Sequence, residues 1–160
     1  MTGSPFRGSG ERRGKTEMFF GSFEHALDDK GRVIMPARFR GKLAEGVMMS
    51  RWIEQCVAVF PRSEFDKLAE RIQALPEGSK DRRDFALIFF GHAFEAELDR
   101  QGRLTIPPKL REMAGLDREV EVVGMMNRVE IWDRRRWNEA AQGGLERFEQ
   151  TAERLSELGF

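Results

Sequence analysis

The chain has 160 residues, 40% of them hydrophobic and 34% charged, and its 27 basic and 27 acidic side chains leave a formal net charge of zero. That is enough apolar material for a core beneath a heavily charged surface, and a zero sum argues against a protein that coats nucleic acid with its whole exterior. No apolar run approaches the roughly 20 residues of a membrane-spanning helix, and one cysteine, Cys56, beside only His25 and His92, permits no intrachain disulfide and no zinc ligand set.

Residues 1–17, MTGSPFRGSGERRGKTE, are rich in Gly, Ser and Arg with almost nothing apolar. Such a composition does not repay the entropy of ordering, so a mobile extension is predicted, and it lacks the apolar stretch of a signal peptide. The protein is therefore expected in the cytoplasm. MFFGSFEHALD then alternates loosely around Phe23 and Leu27, which predicts a strand running into the turn DDKG. Gly31 supplies the backbone freedom of that turn, Asp28 can hold it shut through backbone N–H groups, and RVIMP returns as the next strand.

Pro36 suits the first turn of a helix, so PARFRGKL reads as a short helix with Phe39 and Leu43 facing inward. GVMMSRW and CVAVFP follow as a second strand pair, with Cys56 read as a small buried side chain. Ser63 is the expected cap of a helix over EFDKLAERIQAL, where Phe65, Leu68, Ile72 and Leu75 recur at helical spacing. PEGSKDRR is a solvated connection. Period alone leaves DFALIFFGH open between strand and helix; its place ahead of a repeated unit favours a helix.

That repeated unit dominates the chain. LDDKGRVIMPARFR, residues 27–40, returns as LDRQGRLTIPPKLR, residues 98–111. Phe23 matches Phe94, Asp28 matches Asp99, Gly31 matches Gly102, Arg32 matches Arg103, Pro36 matches Pro107 and Arg40 matches Arg111. VEVVGM and RVEIWD complete the second copy, and RRRW falls where the first copy starts its helix. LERFEQTAERLSELGF then spaces Leu145, Phe148, Ala152, Leu155 and Leu158 along one helical face. The chain thus divides into an extension (1–17), a first half (18–76), a connecting segment expected to be helical (77–91), a second half (92–143) and a C-terminal amphipathic helix (144–160). A unit of about 45 residues buries too little to stand alone, so the halves must complete each other.

The paired Asp-x-x-x-Arg motifs, Asp28 to Arg32 and Asp99 to Arg103, resemble the tandem motifs of the MraZ family, bacterial transcriptional regulators built from AbrB-like domains. The resemblance covers about residues 18–143. It implies a mainly β fold with flanking α-helices (α+β), in which two swapped-hairpin halves form one pseudo-twofold β-barrel. It further implies ring-shaped homo-oligomers that bind double-stranded DNA at short direct repeats upstream of division and cell-wall genes, in a cytoplasmic, nucleoid-associated protein.

On this reading the DNA-binding candidates are Lys30, Arg32, Arg38, Arg100, Arg103 and Lys109, with Asp28, Gly31, Asp99 and Gly102 shaping the turns. Two roles for Arg32 and Arg103 stand side by side: each pairs with the Asp four residues earlier and fixes the turn, or each reaches a guanine edge or a phosphate. Arg38, Arg40 and Lys42, like Lys109 and Arg111, equally fit a solvated face of the short helices, and Arg134–Arg136 read as surface or subunit contact. ALIFFGHAF, Trp132 and Trp137 suit either an internal core or an assembly surface. His25 and His92 lack a paired nucleophile, so no enzyme, metal, cofactor or small-molecule substrate is expected. The rival reading is a protein-interaction scaffold or antitoxin-like partner binder served by the acidic C-terminal helix.

Overall fold

The computed structural model describes residues 18–160, so the extension predicted over 1–17 lies outside the described residues. Each half begins with a strand, a turn and a second strand: β1 (Ser22–Ala26) and β2 (Arg32–Ile34) in the first, β5 (Phe94–Ala96) and β6 (Arg103–Thr105) in the second. A short helix follows, α1 (Ala37–Arg40) continued by a 3-10 turn over Gly41–Leu43, and α4 (Pro108–Met113) at the equivalent place. Pro36 and Pro107 sit at the N-caps of these helices, with φ near the value their rings impose. Two longer strands close each unit, β3 (Val47–Arg51) with β4 (Val57–Pro61), and β7 (Glu119–Gly124) with β8 (Val129–Asp133). Helices α2 (Arg62–Gln73) and α3 (Lys80–Phe89) follow β4; α5 (Arg134–Glu146) and α6 (Phe148–Ser156) follow β8.

The strands form one six-stranded sheet in the order β1-β7-β8-β4-β3-β5 and one two-stranded ribbon, β2-β6, with every pairing antiparallel. The outer strand of each trio is borrowed from the other copy. β1 lies on β7 with His25 opposite Val120, and β5 lies on β3 with Ala96 opposite Val47. Neither half has its own sheet, which is the physical content of the repeat.

The barrel implied by the resemblance is not seen as a closed hydrogen-bonded one, because both sheets are open, with β1 and β5 at the free ends of the longer. The reason lies in the turns: after Asp28 and after Asp99 the chain swings away from the long sheet, so β2 and β6 find only each other. Side chains close the gap instead. Val33, Met35, Leu104 and Ile106 point from the ribbon into a core with Val47, Met49, Val57, Val59, Val120, Val122, Val129 and Ile131, and Phe39, Leu43, Leu110 and Ala114 plug it from the short helices. Phe39 meets the edges of Phe19 and Phe23 at ring distances of 5.3 and 5.5 Å.

A second layer covers the far face of the long sheet. DFALIF of DFALIFFGH is helical within α3, Phe90 capping it and Gly91 and His92 turning away; the N-cap Ser79 hydroxyl accepts the Arg82 N–H at 3.2 Å. Its Phe85, Phe89 and Phe90 pack with Phe60, Phe65 and Trp52, so the aromatic surplus of the first half is internal. In the second half Trp132 and Trp137 meet at 5.6 Å over buried Cys56 and Val123. Glu130 is buried there and compensated: Arg128 donates to it from two nitrogens at 2.8 Å each, and the Trp132 indole donates at 3.0 Å.

Two local expectations need correction. α2 starts at Arg62 with Pro61 as its cap, so Ser63 lies inside the first turn and caps nothing; β4 runs straight into the helix. The single amphipathic helix placed over 144–160 is two helices, α5 and α6, parted at Arg147, whose φ of −105° and ψ of 7° interrupt the helical geometry.

Candidate nucleic-acid interface

Each turn is built by its aspartate. Asp28 Oδ1 accepts the N–H groups of Lys30 and Arg32 at 2.9 Å, and Oδ2 accepts the Arg32 Nε–H at 2.7 Å. Asp99 repeats the arrangement with Gln101 at 2.9 Å, Arg103 N at 2.8 Å and Arg103 Nε at 2.7 Å. The Arg32 backbone N–H is the main reason the Asp28 carboxyl drops from 3.8 to about 2, with the Arg32 guanidinium and the Lys30 N–H adding to it. Asp99 is lowered for the same reasons.

The pairing reading of Arg32 and Arg103 therefore holds for Nε. Both side chains remain partly exposed, with their outer nitrogens beyond the Nε that the aspartate occupies. Because β2 and β6 are antiparallel with Arg32 opposite Thr105 and Ile34 opposite Arg103, these four side chains share the outward face while Val33 and Leu104 face the core. The arginines stand at diagonal corners of that face, offset by about 7 Å along the strands, with Ile34 46% exposed between them.

Glycine at each turn has two causes. Gly31 and Gly102 have φ of +76° and +77°, the left-handed region that other residues enter at a cost. In addition, the opposite copy's arginine crosses directly over each Cα: a Cβ on Gly31 would meet Arg111 Cζ at 2.7 Å, and one on Gly102 would collide with Arg40 Nε. Arg40 is fixed by donating from Nε to the Met35 carbonyl at 2.9 Å. Arg111 Nε is buried without a hydrogen-bond partner among the described residues.

Arg40 and Arg111 are thus the residues that sequence reasoning missed. They are half-buried clamps, not part of a solvated face. The glycine of the partner copy was the one available signal, and nothing local connects the two. Their crossing also fixes which helix accompanies which turn. α4 stands beside the first turn, where Asp28, Pro108, Arg111 and Arg118 line a shallow groove of about 300 Å³. α1 stands beside the second.

Lys30 and Arg100 are exposed at the turn tips. Lys109 is exposed on α4 and lies 3.8 Å from Glu112. Arg38 is exposed on α1, but its guanidinium sits over the Phe20 ring at 5.0 Å and the Phe23 ring at 5.8 Å, near the start of β1. Among the described residues no contact ties Arg38 or Lys109 to a turn tip. Arg134, from the RRR run, is a structural clasp: it donates to the carbonyls of His25 at 2.7 Å and Val120 at 2.9 Å, bridging β1 and β7.

The model of the MraZ protein family, which its description also terms antitoxin-like, matches residues 18–88 and again 89–158. The chain belongs to the MraZ family. It is 40% identical over 142 residues to a protein of Halothermothrix orenii named transcriptional regulator MraZ, covering 89% of this chain and 99% of that one. A protein of the same name from Carboxydothermus hydrogenoformans is 44% identical over 138 residues, covering 86% and 96%. These MraZ relatives carry the names of regulators and not of enzymes. The border between the two MraZ matches falls at the end of α3, so each match holds one Asp-x-x-x-Arg turn and the helices after its strands. No helix of the described residues is long and apolar enough to cross a membrane.

Proposed function

We propose that this chain is a sequence-specific DNA-binding transcriptional regulator that presents the outward face of the β2-β6 ribbon to a duplex. The observation that carries this is the pair of aspartate-locked arginines at diagonal corners of one exposed ribbon face. A two-stranded antiparallel ribbon fits the major groove, and an arginine fork onto guanine discriminates by about 1–3 kcal/mol. Locking the turns in advance removes the ordering cost that a flexible loop would incur on binding. Lys30 and Arg100 at the tips, with Lys109 and Arg38 on the neighbouring helices, supply phosphate contacts that position the ribbon without reading sequence.

One protomer holds few such contacts, so assembly is needed for affinity. A homo-oligomeric ring presents its copies in the same sense around the axis, which suits short direct repeats, and the repeats implied by the resemblance lie upstream of division and cell-wall genes. A cytoplasmic, nucleoid-associated location follows from that role.

Fluorescence anisotropy with operator DNA tests the assignment. A folded Arg32→Ala/Arg103→Ala variant should bind at least about thirtyfold more weakly, and Arg32→Lys/Arg103→Lys should keep nonspecific binding while losing discrimination. Unchanged affinity in the alanine variant refutes the site. The antitoxin-like description and the exposed acidic C-terminal arm favour a second reading, a scaffold that holds a protein partner. A pull-down that survives nuclease treatment would support it.

A further inference from the structure

The outward face of the ribbon carries one difference that neither the turns nor the core explains. Its local twofold axis, through the Val33 and Leu104 pair, relates Arg32 to Arg103 and Ile34 to Thr105. Both Ile34 and Thr105 are β-branched, which suits a strand, but strand preference does not choose between a hydroxyl and a bare hydrocarbon. Ile34 is 46% exposed, joins no buried cluster among the described residues, and lies directly opposite Arg103. A lone exposed isoleucine signifies little elsewhere on a surface. Here it shares its face with two arginines, each drawn back towards its own turn by an aspartate at 2.7 Å.

We propose that Ile34 is a specificity-determining residue that reads the C5-methyl group of a thymine beside the guanine forked by Arg103. This deepens the ribbon reading given above and rests on it. In the major groove thymine alone offers an apolar group. Cytosine at that place presents an amino donor, which the hydrocarbon of Ile34 would desolvate without accepting. Cβ atoms directly opposite on an antiparallel pair lie about 5 Å apart and base pairs stack at roughly 3.4 Å, so the thymine falls within about two base pairs of that guanine. Thr105, opposite Arg32, adds a hydroxyl that both donates and accepts, so it suits several base edges and discriminates less. The two ends of the ribbon then read differently: guanine with thymine under Arg103 and Ile34, guanine with a freer neighbour under Arg32 and Thr105.

Duplexes selected from a random-sequence library by the full chain supply the probe, and the guanine whose selection disappears in Arg103→Lys marks the base pair that this arginine reads. A thymine should be enriched within about two base pairs of it. Replacing that thymine by deoxyuridine, which lacks only the methyl group, should weaken binding by about fourfold in fluorescence anisotropy. Deoxyuridine at thymines outside the selected site should change nothing. Ile34→Ser should bind the two duplexes alike, and Ile34→Thr, which keeps one methyl group, should show a smaller difference than the wild type. Both should melt close to the wild type, because Ile34 lies outside the core. Equal binding of thymine and deoxyuridine duplexes by the wild type, or no enriched thymine beside a guanine that is still selected, overturns the methyl contact and leaves the ribbon reading standing. A full deoxyuridine penalty in the Ile34 variants assigns the methyl group to another residue and likewise overturns it. Selection of no sequence, or of one indifferent to Arg103→Lys and to Arg32→Lys, overturns both.

Discussion

Gly102 shows how much a single hydrogen atom in place of a side chain determines. Its φ of +77° and the Arg40 guanidinium over its Cα act together, so Gly102→Ala both enters a disfavoured backbone region, at about 1–2 kcal/mol, and evicts a half-buried arginine. We expect a lower melting temperature and weaker DNA binding together. Gly144→Ala is the control: among the described residues nothing lies within 4 Å of its would-be Cβ, it sits within α5, and alanine there should stabilise by about 0.5–1 kcal/mol. Asp28 gives a second expectation at the same scale. Its folded pKa lies below its unfolded one, so the turn's contribution is complete above about 4 and is lost as pH falls from 3.8 towards about 2. Amide exchange or fluorescence at the turn should therefore be flat from pH 7 to pH 4 and change below it. A transition centred near pH 6 would mean that another group controls the turn.

At the scale of elements, the ribbon shares no strand ladder with the long sheet among the described residues and is held to it by its two turns and by buried side chains, which makes those anchors vulnerable. Leu104 is wholly buried in the central core, and Leu104→Ala should cost about 2–5 kcal/mol. If the ribbon is the reading element, this variant should also lose discrimination between operator and random DNA before it unfolds, measured by anisotropy below its melting transition. The order of these elements was legible in the sequence because its signals are local: Gly31 and Gly102 after an aspartate mark turns, Pro36 and Pro107 mark helix starts, and the second copy resolved what period left open at DFALIFFGH. The exchange of β1 and β5 was legible only through the resemblance, since the partners of Phe23 and Phe94 lie far along the chain. Arg40 and Arg111 were misread for the same reason. A basic residue on a short helix looks solvated until the glycine it covers, in the other copy, is known. The break at Arg147 carries no proline, and the paired glycines Gly143 and Gly144 just before it are a weak signal.

At the scale of the whole molecule, a zero net charge conceals two unequal corners. The ribbon face has a local twofold axis between Val33 and Leu104, yet the corners it relates differ: Asp29 and Lys30 on the first turn become Arg100 and Gln101 on the second. Asp29 sets an exposed negative charge beside Lys30 on the first turn, 4.0 Å from Arg118, whereas the second turn carries Arg100 exposed at its tip. On the proposed function, a duplex laid across the ribbon would meet a more positive second corner, and each recognised site should be asymmetric even though the scaffold is nearly symmetric. Asp29→Arg tests this. It removes an acidic group from the first corner and recreates the charge that the second turn has at that place, far from the core. Binding to any duplex should tighten, and the slope of log affinity against log salt should steepen by about 0.9 for each phosphate gained. Discrimination among operators should change little, because the added contact is to backbone and not to bases. A slope that stays the same while specificity rises would place the residue 29 position against base edges and shift the reading surface from the ribbon face to the turn tips.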